Sequence, residues 1–129
     1  SDDENRSCTA IGMLARMYTG WHREHEMFVP GHEILDAKGP MKTDAYFNYY
    51  ATQVMFHFND SKAWPKWNQK IREHLVKTQS QRGHQAGSWY FKDKHGDSGG
   101  RLYNTCMSIM TLEVYYRFMP LYDSERFQE

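Results

Sequence analysis

The chain has 129 residues, the length of one ordinary domain, and is 40% hydrophobic and 16% aromatic, which supports a core and excludes a disordered chain. Its 16 basic residues balance 16 acidic ones, so no positive field recommends nucleic acid as a partner. No apolar run approaches the roughly 20 residues that cross a bilayer, and the polar start Ser1-Asp2-Asp3-Glu4-Asn5-Arg6 does not read as a signal peptide.

Five helices are predicted in chain order. The first covers about 7–19, with Ser7 or Thr9 as cap, a stripe of Ile11, Leu14, Met17 and Tyr18, and Gly20 as a stop. The second covers about 25–37 and is interrupted by Pro30-Gly31, so its start can fall at Pro30; Gly39-Pro40 ends it. The third covers about 43–58, with Thr43 as cap and Asp44 at the positive end of the helix dipole. Its run "AYFNYYATQVMFHF" is apolar nearly all round, which predicts burial on several sides. The fourth covers about 61–79, with Ser61 as cap and Trp64, Trp67, Ile71, His74 and Leu75 on one face. The fifth covers about 101–119 and stops before Pro120. "SWYF" is strand-like but short, so the expected class is all-α. Cys8 and Cys106 fall inside helical patterns and are expected as buried small hydrophobes; they do not fix a compartment.

Three segments echo one another. Thr9, Thr52 and Thr105 stand 43 and 53 residues apart. Apolar residues follow each at matching offsets: Ile11, Val54 and Met107, then Met13, Phe56 and Ile109. Amphipathic segments lie between them, an alternation with a period near that of helical-hairpin arrays.

The words "REHLVKTQ", "GSW" and "GRLYNTCMSIMTLEVYYRFMPLY" carry a resemblance to the prenyltransferase and squalene-cyclase repeat family. Arg72, Leu75, Gln79, Gly87 and Trp89 fill the places of that repeat, with Gln81 as the alternative to Gln79. In detail the chain is similar to bacterial proteins known only by these repeats. The resemblance implies antiparallel helical hairpins forming part of an α/α toroid. It also implies that residues 1–129 are one helical-repeat domain, the C-terminal part of a larger toroid. In such repeats the glutamine ties off helix ends and the tryptophan packs over the next repeat, so the loop 79–105 is expected to staple two helices. A cut array leaves apolar surface open, expected beside the first helix, which invites self-association or a protein partner.

The chemistry of that fold is not legible here. The Asp-x-Asp-Asp acid of the cyclases is absent, Arg6 and Asn104 stand where a zinc site would need Asp two residues before a cysteine, and no Cys-Gly-Glu-Gln thioester motif occurs. His22-x-x-His25 lies in a polar connection without an obvious third ligand. Residues 93–97 faintly echo a calcium loop, but Ser98 and Asn104 replace its Gly and Glu. Ser88 or Ser98 with His84 or His95 and Asp97 makes a triad on paper, without a nucleophile elbow. No pattern calls for a cofactor or a metal.

One candidate site remains. Asn48, Thr52, Asn104, Ser108 and Thr111 interrupt the apolar third and fifth helices, with Tyr49, Tyr50, Tyr103, Tyr115 and Tyr116 adding hydroxyl-bearing rings. Aromatic stripes at helical spacing serve packing first. Asn48, Tyr49, Thr52, Tyr103, Asn104 and Ser108 are also the candidate lining of a groove for an apolar small molecule or a sugar. The expected function is a non-catalytic helical-repeat module for binding or interaction. The alternative is a fragment of an isoprenoid-processing, squalene-cyclase-like enzyme whose acid motif lies outside this chain. A polysaccharide-processing toroid using Tyr and His is a third reading.

Overall fold

The computed structural model describes residues 2–117, with side chains for 5–116. Five α-helices run through them: α1 (Asp2–Tyr18), α2 (Val29–Lys38), α3 (Ala45–His57), α4 (Ala63–Thr78) and α5 (Lys94–Arg117). Two 3-10 turns, Glu26–Phe28 and Gly83–Gln85, sit in the connections, and no strand occurs among the described residues. The molecule is all-α, as the periodicity predicts.

The hub is α3. Its all-round apolar sequence buries 10 of its 13 residues, and it packs against all four other helices. Phe47, Val54 and Met55 are fully buried in it. Around them, α1 supplies Leu14 and Met17, α2 supplies Leu35, α4 supplies Trp67 and Ile71, and α5 supplies Met107 and Val114. Each such side chain contributes about 1.5–3 kcal/mol by leaving water.

Helix starts differ from the expected ones for local reasons. α1 begins at Asp2, five residues before the expected start. α3 is capped by Asp44 rather than Thr43: the Asp44 carboxylate accepts from the Phe47 N–H at 2.8 Å. Ser61 does not cap α4, and its buried hydroxyl has no hydrogen-bond partner. α5 starts seven residues earlier than predicted and bends at Gly100 (φ 68, ψ −163). The glycines there look like loop signals, but Asp93 accepts from the Gly96 N–H and starts a turn of helix. A Cβ on Gly96 would overlap the Phe91 carbonyl, so glycine is required by close approach. The expected end of the fifth helix at Met119–Pro120 lies outside the described residues.

Cys8 and Cys106 are exposed, which corrects their expected burial. The buried stripe of α1 runs through Ala10, Met13, Leu14 and Met17, and that of α5 through Asn104, Met107, Ser108 and Thr111, so both thiols sit off the packed face. Apolar surface is not confined to the side of α1. Met27 and Val29 are exposed beside it, but so are Leu102 and Tyr116 on α5.

The connection from α4 to α5 is a stapled loop. Gln79 ends α4, and its amide donates to the Gly87 carbonyl at 3.0 Å; Gln81 donates to the Gln79 carbonyl at 3.1 Å. Gly87 adopts φ 84, a conformation open to glycine. The Ser80 N–H donates to the Ser88 carbonyl at 2.9 Å, and the Arg101 guanidinium donates to both of their hydroxyls. "SWYF" forms no strand. Its Trp89 is buried, with Nε1 donating to the Leu75 carbonyl at 2.8 Å. The Thr105 hydroxyl accepts from the Trp89 N–H at 3.1 Å and donates to its carbonyl at 3.3 Å. The three echoing threonines therefore act differently: Thr9 donates to the Asn5 carbonyl, Thr52 accepts from the Trp67 indole at 3.0 Å, and Thr105 holds the loop.

Three histidines are packed among apolar groups. His32 lies against Phe58 and His74 stacks on Phe91 at 5.5 Å. Burial holds His32, His57 and His74 below the ordinary histidine range. Asp36 and Glu33 oppose this at His32, the Arg23 charge reinforces it at His57, and at His74 a Lys42 backbone bond opposes it. A depressed histidine binds its proton more weakly folded than unfolded, so stability is complete above the unfolded value of about 6.5 and falls as the pH drops through and below it. Thermal melts should therefore be flat from neutral to mildly alkaline pH and decline below about pH 6.5. A midpoint that holds steady from pH 7 to about pH 5 contradicts the neutral burial of these rings.

Candidate functional site

Positions 46, 49 and 50 share one side of α3, and each is a tyrosine that is only half-buried. Tyr50 packs edge-on to Tyr46 at 4.8 Å and to Tyr49 at 5.2 Å. At the N-terminal end of this ledge His95 stacks on Tyr46, with centroids 4.9 Å apart and planes at 24°. A cavity of about 550 Å³ opens there, lined by Cys8 and Ile11 of α1, Asp44 and Tyr46 at the start of α3, and Asp93 and His95 at the start of α5. That volume lies within the range of small-molecule sites.

Each wall has a local cause. Asp44 and Asp93 are there because both begin helices, each accepting a backbone N–H three residues on. His95 reaches Tyr46 because α5 starts early, at Lys94, which also lines the cavity. The charged lining thus holds two carboxylates against one ammonium.

Tyr103 stands beside this cluster. Its phenol oxygen is buried and has no hydrogen-bond partner among the described residues. The hydroxyl is pushed up to about 12, first by burial and then by the negative charges of Asp44 and Asp93, with Tyr46 and Tyr50 adding to it. Gly99 lies under the ring, and any side chain there would collide with Tyr103. Along the same ledge Tyr49 is raised by burial and by its neighbours Tyr18 and Tyr50, while the Tyr18 hydroxyl donates to the Gln53 amide oxygen at 3.3 Å.

The six residues expected to line one groove divide into two groups. Tyr49 and Tyr103 belong to the tyrosine side. Asn48, Thr52, Asn104 and Ser108 are buried to 2% exposure or less. Asn48 accepts from the Met41 N–H and donates to the Met41 carbonyl, both at 2.8 Å. Thr52 holds the Trp67 indole. Asn104 donates to the Gly100 carbonyl at 3.1 Å and the Phe91 carbonyl at 3.4 Å. Ser108 has no partner for its hydroxyl. Asn48, Thr52 and Asn104 interrupt the apolar pattern because loops and an indole need tying, and none of the four lines the cavity beside Tyr46. The residues that sequence reasoning missed are Asp44, Tyr46, Asp93 and His95 acting as one wall. The Tyr46, Tyr49, Tyr50 spacing was a usable signal. The meeting of Asp44 with Asp93 was not, because it depends on how α3 packs on α5.

The other sequence patterns disperse. Residues 94–99 are helical, which spreads the donors of the calcium-like stretch. The Ser88 hydroxyl donates to the Gln85 carbonyl at 2.6 Å, Ser98 to the Lys94 carbonyl, and Asp97 accepts from Tyr90, so no triad assembles. His25 accepts from the Met27 N–H as the cap of a 3-10 turn. Among the described residues no group of three or more His, Cys, Asp or Glu could hold a metal ion, and no helix is long and apolar enough to cross a membrane. Compared with known proteins, the chain matches no family model, no curated protein and no solved structure.

Proposed function

We propose that the chain is a non-catalytic helical-repeat binding module whose ligand is an organic amine carrying a flat or apolar body. The ammonium group lies toward Asp44 and Asp93 and donates to the Tyr103 oxygen, and the body rests on the rings of Tyr46 and Tyr50. The observation that carries this reading is a cavity of ligand size lined by Asp44, Asp93 and the stacked Tyr46 and His95 rings, with the buried Tyr103 oxygen, unpartnered among the described residues, behind it within the field of both carboxylates. A polar atom buried without a partner costs stability unless something arrives to meet it. Aromatic faces next to carboxylates are the usual surroundings of a bound ammonium. Both carboxylates are committed to capping helices, which favours holding a ligand over moving protons.

The same reading takes the helices as hairpins of an α/α toroid, with α1, α3 and α5 as inner rods. The packing of α3 against both α1 and α5, and the burial of Trp89 between α4 and α5, support it.

Phenethylamine and its neutral counterpart phenethyl alcohol test the binding by titration followed by NMR. The amine should bind more tightly and perturb Tyr46 and Tyr103. Tyr103→Phe should weaken the amine about fivefold, the effect of one hydrogen bond of about 1 kcal/mol. It should leave the melting temperature of the free protein unchanged or raised, since a buried unpartnered hydroxyl is removed. Equal affinity for amine and alcohol, or a marked loss of stability in Tyr103→Phe, would sink the reading.

A further inference from the structure

A second cavity, of about 500 Å³, lies on another flank of α3, between α4 and the C-terminal half of α5. Its apolar wall is aromatic and fixed in place. Trp64 packs edge-on to Phe56 at 5.1 Å, and Phe56 in turn to Tyr115 at 6.4 Å. Trp64, Ile71 and Tyr115 all face the cavity. Its floor is polar. Thr52 and Thr111 line it from α3 and α5, each almost fully buried. Ser108 lies one turn before Thr111 and Leu112 on the same face of α5, buried, with a hydroxyl that meets no partner.

The charge at the rim has one sign. Among the described residues Arg72 is the single charged one of the lining, with the Asn68 amide one turn before it. Among the described residues the Arg72 guanidinium has neither an ion pair nor a hydrogen bond. An unpaired guanidinium offers a planar fork of donors that fits a carboxylate in two places at once. From the aromatic wall, the buried hydroxyl floor and this lone cation, we infer that the cavity binds an amphipathic carboxylate. Its acid group meets Arg72 and Asn68, and its aromatic or branched apolar body fills the space over Thr52 and Thr111. The site is separate from the tyrosine cavity, and its charge preference is opposite.

The test uses the whole chain with naphthoate and with naphthylmethanol, which has the same ring system but no charge. Binding is read by isothermal titration, and its location by the amide shifts of Thr52, Thr111 and Arg72. Naphthoate should bind more tightly than the alcohol and shift those amides. Arg72→Gln, on an exposed side chain, should weaken naphthoate roughly tenfold and leave the alcohol unchanged. The inference is overturned by equal binding of the two compounds, by naphthoate binding indifferent to Arg72→Gln, by shifts centred elsewhere, or by no binding of naphthoate.

Discussion

Trp89→Ala should lower the free energy of unfolding by about 3–5 kcal/mol, the cost of emptying a buried indole site. The loss has two parts. The indole is 4% exposed and fills the space between α4 and the start of α5. Its N–H also donates to the Leu75 carbonyl at 2.8 Å, a second bond on an oxygen that the Gln79 N–H already meets at 3.1 Å, so the indole reinforces the end of α4. A chain of this size has about 5–15 kcal/mol in total, so the variant sits near the edge of folding. Trp89→Phe separates the parts. It keeps most of the ring volume and loses the donor, so about 1–2 kcal/mol should go. Urea unfolding measures both. A loss below about 1 kcal/mol in Trp89→Ala means that the loop does not fasten α4 to α5.

Asn48→Ala should cost about 2–3 kcal/mol. The Asn48 amide closes two bonds with the backbone of Met41, one as acceptor and one as donor, and so fixes the entry into α3. Removing it leaves an N–H and a carbonyl to find other partners and opens a small void beside a residue 2% exposed. Asn48→Asp is the sharper variant. The carboxylate still accepts from the Met41 N–H but cannot donate to its carbonyl, so it should recover only part of the loss. If Asn48→Asp were as stable as the parent, the donor half of the pair would be worth nothing. Because Met41 and Thr43 line the tyrosine cavity, amine binding should weaken alongside stability in both variants.

Much of the fold was legible in the residues. The all-round apolar run of α3 identified the central helix, and the single apolar face of α4 identified an outer one. Boundaries failed where a cap outside the expected residue won, as with Asp44 over Thr43. They failed also where glycines that read as loop proved to be the close-packed first turn of α5. Cys8 and Cys106 were misplaced because a sequence stripe tells which residues are apolar, not which flank of the helix is covered. The candidate site was legible only in part. Tyr49 stands beside Tyr50 on the tyrosine ledge and Tyr103 next to the Asp44 and Asp93 charges, but neither lines the cavity itself. Asn48, Asn104 and Ser108 share the helices but are buried away from it and Thr52 lines the second cavity instead, and a polar residue in an apolar helix looks the same whether it ties a loop or awaits a ligand. Asp44 and Asp93 come together only through the contact of α3 with α5, which no local pattern encodes.

The central position of α3 has a kinetic side. Every other helix is anchored to it, so each can fray or detach while it stays intact, and it cannot open until several of them have left. Its amides are then the slowest to exchange with solvent, and the molecule comes apart from its periphery inward. Each cavity pairs a wall on α3 with one on a peripheral helix, so a local opening of α1 or α5 would reshape a cavity without unfolding the hub.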